Sequence, residues 1–168
     1  VTPFQADGSL DLEGIAALVD WQLEQGSHGI FIGGSTGEPT SQTVAERISV
    51  MRAVADAIDD RAPFLPGTGT ARMDETLELT AEAERLGATA ALVVTPYYGR
   101  AQQQGLYDWY ARVASEFPSF PLLVYNVPVR AAVDIAPATV GRLARAFDNI
   151  VGIKETTRDF EHVSYVLD

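Results

Sequence analysis

Five short apolar runs recur at a regular spacing, which constrains the fold more than any other feature of the chain. They cover residues 30–32, 63–65, 90–94, 122–125 and 150–153. Their near-continuous hydrophobicity is typical of strands that are buried on both faces, as in a parallel sheet. The spacing of about 30 residues is the length of one strand–helix unit. The chain is therefore predicted to alternate strands with helices.

Helical patterns fill the gaps between these runs. Asp11 is predicted to cap a first helix that ends at Gly26, and Thr43 forms a capping box with Glu46 for a second. Further predicted helices lie over residues 77–86, 106–113 and 137–147, and a sixth begins at Asp159. The Gly67-Thr68-Gly69-Thr70 segment is predicted to be a tight turn that brings backbone close to the strand ends.

The strand–helix alternation fits either an open doubly wound sheet or a (β/α)8 barrel. Every strand run is followed by a conspicuous polar segment, at residues 33–38, 67–70, 95–100, 125–130 and 154–157. An open sheet concentrates its chemistry at one switch point, whereas a barrel distributes it over the carboxyl ends of all its strands. We therefore predict one (β/α)8 TIM-barrel catalytic domain over residues 1–168.

The number of strands is too small for a closed barrel. Five whole strands and a remnant at residues 1–3 make about six of the eight units, and a barrel takes roughly 200 residues or more. We expect this single domain to be incomplete, with a clipped first strand and the last units missing.

Composition limits the partners and cofactors. No run approaches the ~20 apolar residues that span a bilayer, and a net charge of −11 disfavours binding to nucleic acid or to an anionic membrane. The chain has no cysteine, and its two histidines lack metal-site spacing, so no metal site is predicted. The lack of cysteine and of a visible secretory signal fits a cytoplasmic protein.

Lys154 is the only lysine and lies in the apolar run of residues 150–155. Burial disfavours the ammonium form, so a lysine at such a position can present a neutral amine as a nucleophile toward a carbonyl carbon. Arginine cannot replace it in this role, because its guanidinium stays protonated. The alternative interpretation is structural, an ion pair with neighbouring Glu155.

The segment of residues 33–38 lacks the glycine spacing of nucleotide-binding loops. Its small residues leave backbone N–H groups accessible, and Ser35 and Thr36 add two hydroxyls. Together with the N-terminus of the following helix, they could bind a carboxylate. An ordinary glycine-rich turn is the other interpretation.

Three further side chains are candidates for chemistry. The hydroxyls of Tyr98 and Tyr125 could transfer protons near Lys154, although buried tyrosines are as often packing residues. Arg130 could bind a substrate carboxylate, or it could be a solvated loop residue. Asn126 is expected to fix the local turn.

These segments resemble one known family, the dihydrodipicolinate synthase / N-acetylneuraminate lyase family. The resemblance lies in the order and spacing of five motifs. They are Val1-Thr2-Pro3-Phe4 followed by Asp7-Gly8-Ser9, Gly34-Ser35-Thr36-Gly37-Glu38, Tyr97-Tyr98-x-Arg100, Tyr125-Asn126-Val127-Pro128-x-Arg130 and Gly152-Ile153-Lys154-Glu155. It covers essentially the whole chain. It implies a class I aldolase-type (β/α)8 barrel, commonly a homotetramer, in which a lysine forms a Schiff base with pyruvate.

The resemblance also implies the roles of individual residues. Lys154 would form the Schiff base, so that no separate cofactor is needed. Ser35 and Thr36 would bind the carboxylate of the 2-oxo acid. Tyr125 would transfer protons in a relay with Ser35 and Tyr98, and the Tyr98 hydroxyl would come from the neighbouring subunit of a dimer.

The second substrate is less clearly implied. Arg130 is similar to the arginine that meets the second carboxylate in the synthase branch, which condenses pyruvate with the aldehyde aspartate semialdehyde in lysine biosynthesis. Ser35 and the Ala131-Ala132 pair depart from that branch. They leave open an aldolase or dehydratase of 2-keto-3-deoxy sugar acids or N-acetylneuraminate. A catalytically inactive barrel scaffold is a third alternative, which the energetic cost of a buried amine disfavours.

Overall fold

A computed structural model describes residues 1–167 and contains alternating strands and helices. The strands are β1 (Ile30–Ile32), β2 (Phe64–Pro66), β3 (Ala91–Val94), β4 (Leu122–Asn126) and β5 (Ile150–Glu155). The helices are α1 (Leu12–Glu24), α2 (Val44–Ile58), α3 (Met73–Arg85), α4 (Gln103–Glu116), α5 (Pro128–Ala131), α6 (Pro137–Ala146) and α7 (Phe160–Leu167).

All strands of the sheet run parallel, in the order in which they occur in the chain. β1 pairs with β2, and β3, β4 and β5 pair successively. A parallel bridge between Gly67 and Leu92 joins the two groups, and the Thr68 N–H donates to the Leu92 carbonyl over 3.0 Å. The result is one five-stranded arrangement with a helix between successive strands, as expected for a barrel wall.

The sheet is strongly curled. β1 and β5 are the two outermost strands in the order, yet Lys154 Nζ on β5 lies 4.5 Å from the centroid of the Phe31 ring on β1. A flat five-stranded sheet would hold its edge strands roughly 19 Å apart, because neighbouring strands are about 4.8 Å apart. The two edges therefore bend toward a common interior, and this curvature brings distant polar segments together.

The predicted helix ends are confirmed where capping chemistry defined them. The Asp11 side chain accepts from the Gly14 N–H, and Thr43 and Glu46 form both bonds of the capping box. Pro137 occupies the first turn of α6. The outer helices bury their apolar faces against the sheet, with fully buried side chains at Met51, Leu79, Leu106 and Leu143.

Residues 1–3, predicted as the remnant of a clipped first strand, are not assigned as a strand. Within residues 1–167 there are five strands, as counted from the sequence for the whole strands. Among the residues that the structure describes, no strand pairs with residues 1–3. Thr2 is instead tied to the loop after β1, where its hydroxyl donates to the Gly37 carbonyl over 2.7 Å. Phe4 forms only an isolated antiparallel bridge with Leu10.

Two helical features differ from the expectation in detail. α5 follows β4 directly where only a polar segment was predicted, because Pro128 is well suited to the first turn of a helix. Val163 and Val166 of α7 face inward but are only half-buried. Among the helices of residues 1–167, none has both the length and the apolar character needed to cross a membrane.

Candidate active site

Lys154 lies among aromatic rings on the inner face of the curled sheet. It pairs in register with Tyr125 on β4, and its Nζ is 4.2 Å from the Tyr125 ring centroid and 4.5 Å from that of Phe31. The side chain is half-buried. No carboxylate within residues 1–167 forms an ion pair with it, so the structural ion pair with Glu155 is not formed. The amine is therefore available to a ligand in the interior.

The hydroxyl of Ser35 meets that of Tyr125 beside this amine. Ser35 Oγ and Tyr125 Oη are 3.5 Å apart, although the two residues are 90 positions apart in the chain. Ser35 lies in a short 3-10 turn, Ser35–Gly37, which ends in a left-handed Glu38 with φ of 55°. Thr36 follows Ser35 in the same turn but is exposed.

The N-terminus of the following helix was predicted to contribute to carboxylate binding beside Ser35, and the structure contradicts this prediction. A second 3-10 turn, Pro39–Ser41, follows the Ser35 turn, and α2 begins only at Val44. In the first turn of α2, the Glu46 N–H donates to the Thr43 side chain of the capping box. A carboxylate beside Ser35 would therefore depend on hydroxyls and on the N–H groups of the turn itself.

Two cavities meet at the Ser35–Tyr125 pair. One of about 430 Å³ is lined by Lys154, Phe31 and the loop that contains Thr36. The other, of about 270 Å³, is lined by Tyr97, Arg47 and Arg130. Ser35 and Tyr125 line both. A small molecule bound to Lys154 could thus be adjacent to a second molecule that enters from the arginine side.

Arg47 is a site residue that the sequence reasoning missed. Its side chain is only 6% exposed, yet it lines the smaller cavity. Nη2 donates to the Gly67 carbonyl over 2.8 Å, and the guanidinium also approaches the Gly69 carbonyl at 3.4 Å. Burial lowers the pKa of Arg47 from its ordinary value. Its spacing from Val44 and Met51 on the apolar face of α2 was the signal that could have identified it.

The remaining predicted residues lie at the outer rim. Arg130 is exposed on α5 and lines the smaller cavity. Tyr98 is 93% exposed, has a φ of 75° and lines neither cavity. Its N–H donates to the Ala131 carbonyl over 3.3 Å, which holds the backbone while the ring extends into solvent. Within one chain, therefore, Ser35 and Tyr125 come together and Tyr98 does not join them.

Asn126 is fully buried at the end of β4, on the face opposite to Tyr125. Its side-chain oxygen accepts from the Ile135 N–H over 3.3 Å, nine residues along the chain, rather than from the turn that directly follows β4. Its Nδ2 also donates to the carboxylate of Glu155 on β5.

Comparison with known proteins places these features in one family. The sequence model of the Dihydrodipicolinate synthetase family matches residues 1–168. A 4-hydroxy-tetrahydrodipicolinate synthase from Thermus thermophilus is 50% identical over 165 residues, which are 98% of this chain and 55% of that protein.

Solved structures agree with this comparison. Dihydrodipicolinate synthase from Aquifex aeolicus superposes with a TM-score of 0.95 at 35% identity, over 99% of this chain and 56% of that one. The chloride-inhibited dihydrodipicolinate synthase from Acinetobacter baumannii, complexed with pyruvate, gives 0.93 at 40% identity, over 99% and 57%. The predicted barrel architecture is confirmed. The chain spans a little over half the length of the curated relatives it matches.

Proposed function

The chain belongs to the dihydrodipicolinate synthetase family, and on that premise we propose that it carries the Schiff-base centre of a 4-hydroxy-tetrahydrodipicolinate synthase. The reaction would condense pyruvate with aspartate semialdehyde. The observation that carries the proposal is the Lys154 amine, which has no carboxylate partner within residues 1–167 and lies 4.2 Å from the Tyr125 ring centroid.

The chemistry follows from the groups around the amine. Lys154 Nζ attacks the C2 carbon of pyruvate, and loss of water from the adduct leaves an imine. Removal of a C3 proton converts the imine to an enamine, whose C3 then attacks the aldehyde carbon. The hydroxyls of Tyr125 and Ser35, which are 3.5 Å apart and line the same cavity as Lys154, would carry these proton transfers. Ser35 and Thr36 would bind the pyruvate carboxylate.

The second substrate would enter through the smaller cavity. Arg130 lines that cavity, and its guanidinium can bind a carboxylate in a bidentate manner. Such a local positive charge matters on a chain with a net charge of −11, which otherwise repels anions. Aspartate semialdehyde has both the carboxylate for Arg130 and the aldehyde for the enamine.

We further propose that Tyr98 acts in a neighbouring subunit. Support comes from its 93% exposure and its separation from both cavities of its own chain. A homo-oligomer would place that hydroxyl at a partner's Ser35–Tyr125 pair.

Trapping with borohydride tests the Schiff base directly. Full-length protein incubated with pyruvate and borohydride should gain one covalent adduct on the peptide that contains Lys154. Borohydride without pyruvate is the blank, and Lys154→Arg is the matched variant because it keeps the charge but cannot form an imine. An adduct that persists in Lys154→Arg, or no adduct in the wild type, would contradict the proposal.

Kinetics identify the second substrate. Aspartate semialdehyde with pyruvate is compared with a panel of 2-keto-3-deoxy sugar acids. For the substrate that uses it, Arg130→Ala should cost ~1.5–3 kcal/mol in kcat/KM, the loss for one charged hydrogen-bonding partner. Arg145→Ala, an exposed arginine on α6, is the control and should have no effect. Turnover of the sugar acids alone would favour the aldolase or dehydratase alternative.

A further inference from the structure

β4 and β5 each carry two consecutive residues that face opposite sides of the sheet. Tyr125 pairs in register with Lys154 on the inner face, and Asn126 pairs with Glu155 on the outer face. We propose that this outer pair is a positioning pair, which fixes the strand register that places Lys154 beside Tyr125. The chemistry attributed to the inner pair rests on the proposed function, whereas the register does not.

Both the nitrogen and the oxygen of the Asn126 amide form hydrogen bonds. Nδ2 donates to the two oxygens of Glu155 at 3.0 and 2.9 Å, and to Asp134 Oδ1 at 2.7 Å. Its oxygen accepts from the Ile135 N–H. The side chain is fully buried, so any loss of these partners leaves polar atoms without water.

Glu155 extends the contact to the segment after β5. Its Oε1 accepts from the N–H groups of Thr156 and Thr157, both at 2.8 Å. Its Oε2 lies 3.3 Å from Nε2 of His162 on α7. The Thr156 hydroxyl donates back to the Asn126 carbonyl over 2.9 Å. The outer pair thus connects β4, β5 and the loop before α6 by hydrogen bonds, and the His162 imidazole of α7 lies beside it.

The β4–β5 ladder is irregular upstream of the Asn126–Glu155 pair. The register between β4 and β5 shifts at its start: Leu122 pairs with Ile150, but Leu123 pairs with Gly152. Val151 is the extra residue and is exposed. Pairing at the start of β5 therefore leaves two registers available, and a slip by one residue would turn Lys154 to the outer face. Contacts downstream of the irregularity favour one register, and the hydrogen bonds between the side chains of Asn126 and Glu155 are side-chain contacts of this kind.

Exchange of the Asn126 amide and the Glu155 carboxylate tests whether the outer pair fixes the register. Asn126→Asp places a carboxylate against Glu155, and kcat should fall about 10- to 100-fold, the range expected when reacting groups are misplaced by roughly 1 Å. The KM for pyruvate should change much less. In the double variant Asn126→Asp/Glu155→Gln, the new amide can donate to the new carboxylate, so kcat should recover part of the loss, although Asp134 still faces that carboxylate.

Asn149→Asp is the matched control. Asn149 lies at the other end of β5, and its Nδ2 likewise meets three acceptors, the carbonyls of Ala114, Phe117 and Phe120. This variant should lose stability while kcat per folded molecule stays at the wild-type value. If Asn126→Asp does not fold, Glu155→Gln alone, which keeps one acceptor oxygen, should show a smaller fall in kcat at unchanged secondary structure.

A second readout separates this inference from the proposed function. If wild-type protein gives no adduct with pyruvate and borohydride, the proposed function fails. The register is then tested by reaction of Lys154 with trinitrobenzenesulfonate, followed on the peptide that contains Lys154. Labelling should be slower in folded Asn126→Asp than in Asn149→Asp and should be partly restored in the double variant. Wild-type reactivity in folded Asn126→Asp, or a double variant no better than the single one, would overturn the inference.

Discussion

Arg47 offers a prediction in which two energetic effects oppose each other. The guanidinium makes one hydrogen bond of good geometry, to the Gly67 carbonyl at 2.8 Å, and its approaches to the Gly69 carbonyl at 3.4 and 3.5 Å are marginal. It is 6% exposed and forms no ion pair with a carboxylate of residues 1–167. The hydrogen bond stabilises the fold, whereas burial of the charge destabilises it.

The free-energy costs of the lost hydrogen bond and of the buried charge predict which of two variants is less stable. Loss of a charged donor costs ~1.5–3 kcal/mol. Arg47→Met loses that donor but also removes the buried charge and keeps most of the volume, so its net cost should be about 1 kcal/mol. Arg47→Lys keeps a charge that is more strongly hydrated and reaches fewer carbonyls, so it should cost about 2–4 kcal/mol. The chemically conservative change is expected to be the worse one.

Urea unfolding of the full-length protein, followed by circular dichroism at a fixed protein concentration, measures this order. Arg47→Lys should regain stability as the pH rises toward about 10, because a buried amine releases its proton at a lower pH in the folded than in the unfolded chain. Arg52, exposed on the same helix, is the control: Arg52→Lys should stay within about 0.5 kcal/mol of wild type. If Arg47→Lys is as stable as wild type or more stable than Arg47→Met, the reasoning is refuted.

Three further outcomes are expected. Tyr125→Phe should keep the fold and lower kcat by ~10²–10⁴, the range for a positioned acid–base group; an unchanged kcat would make Tyr125 a packing residue. A hydrogen bond from Arg85 helps to lower the pKa of Glu82 from 4.5 to about 2, so Glu82→Gln should cost ~1 kcal/mol of stability at neutral pH, where its arginine partners are exposed. That difference should be constant above pH 4.5 and vanish as the pH falls to about 2, and its persistence in acid would contradict the assignment. Co-expression of Tyr98→Phe with Lys154→Arg should give more activity than either variant alone, because the mixed oligomer has one intact site; no gain would place Tyr98 outside the partner's site.

Much of the fold was predictable because local rules govern it. The strands at residues 30–32 and 122–125 are apolar on both faces, and the capping groups of α1 and α2 act within three residues of the helix start. Residues 1–3 look equally strand-like, but a strand exists only where a neighbour pairs with it. No local pattern reports whether such a neighbour is present.

The site was predictable in composition but not in arrangement. Lys154 stood out as a single lysine in an apolar run, and Ser35 and Tyr125 each lie in one of the polar segments that follow the strands. The distance of 3.5 Å between Ser35 Oγ and Tyr125 Oη depends on the curl of the sheet, and no short segment of sequence encodes that curl. Arg47 was missed because a charged residue within an apolar stripe is normally exposed. Within residues 1–167, the carbonyls of Gly67 and Gly69 are the hydrogen-bond acceptors that offset its burial.

The curl of the sheet also has a consequence for the order of folding. Ser35 and Tyr125 are 90 positions apart, and Phe31 meets Lys154 across an even longer stretch of chain. Closing loops of this length is slow and entropically unfavourable, so such contacts form after the local strand–helix units. A refolding chain would therefore acquire its secondary structure before Lys154 has a completed environment. Borohydride trapping during refolding would then lag behind the recovery of helical circular dichroism. The length of that lag would measure how long after helix formation the curling of the sheet brings Lys154 on β5 to Phe31 on β1.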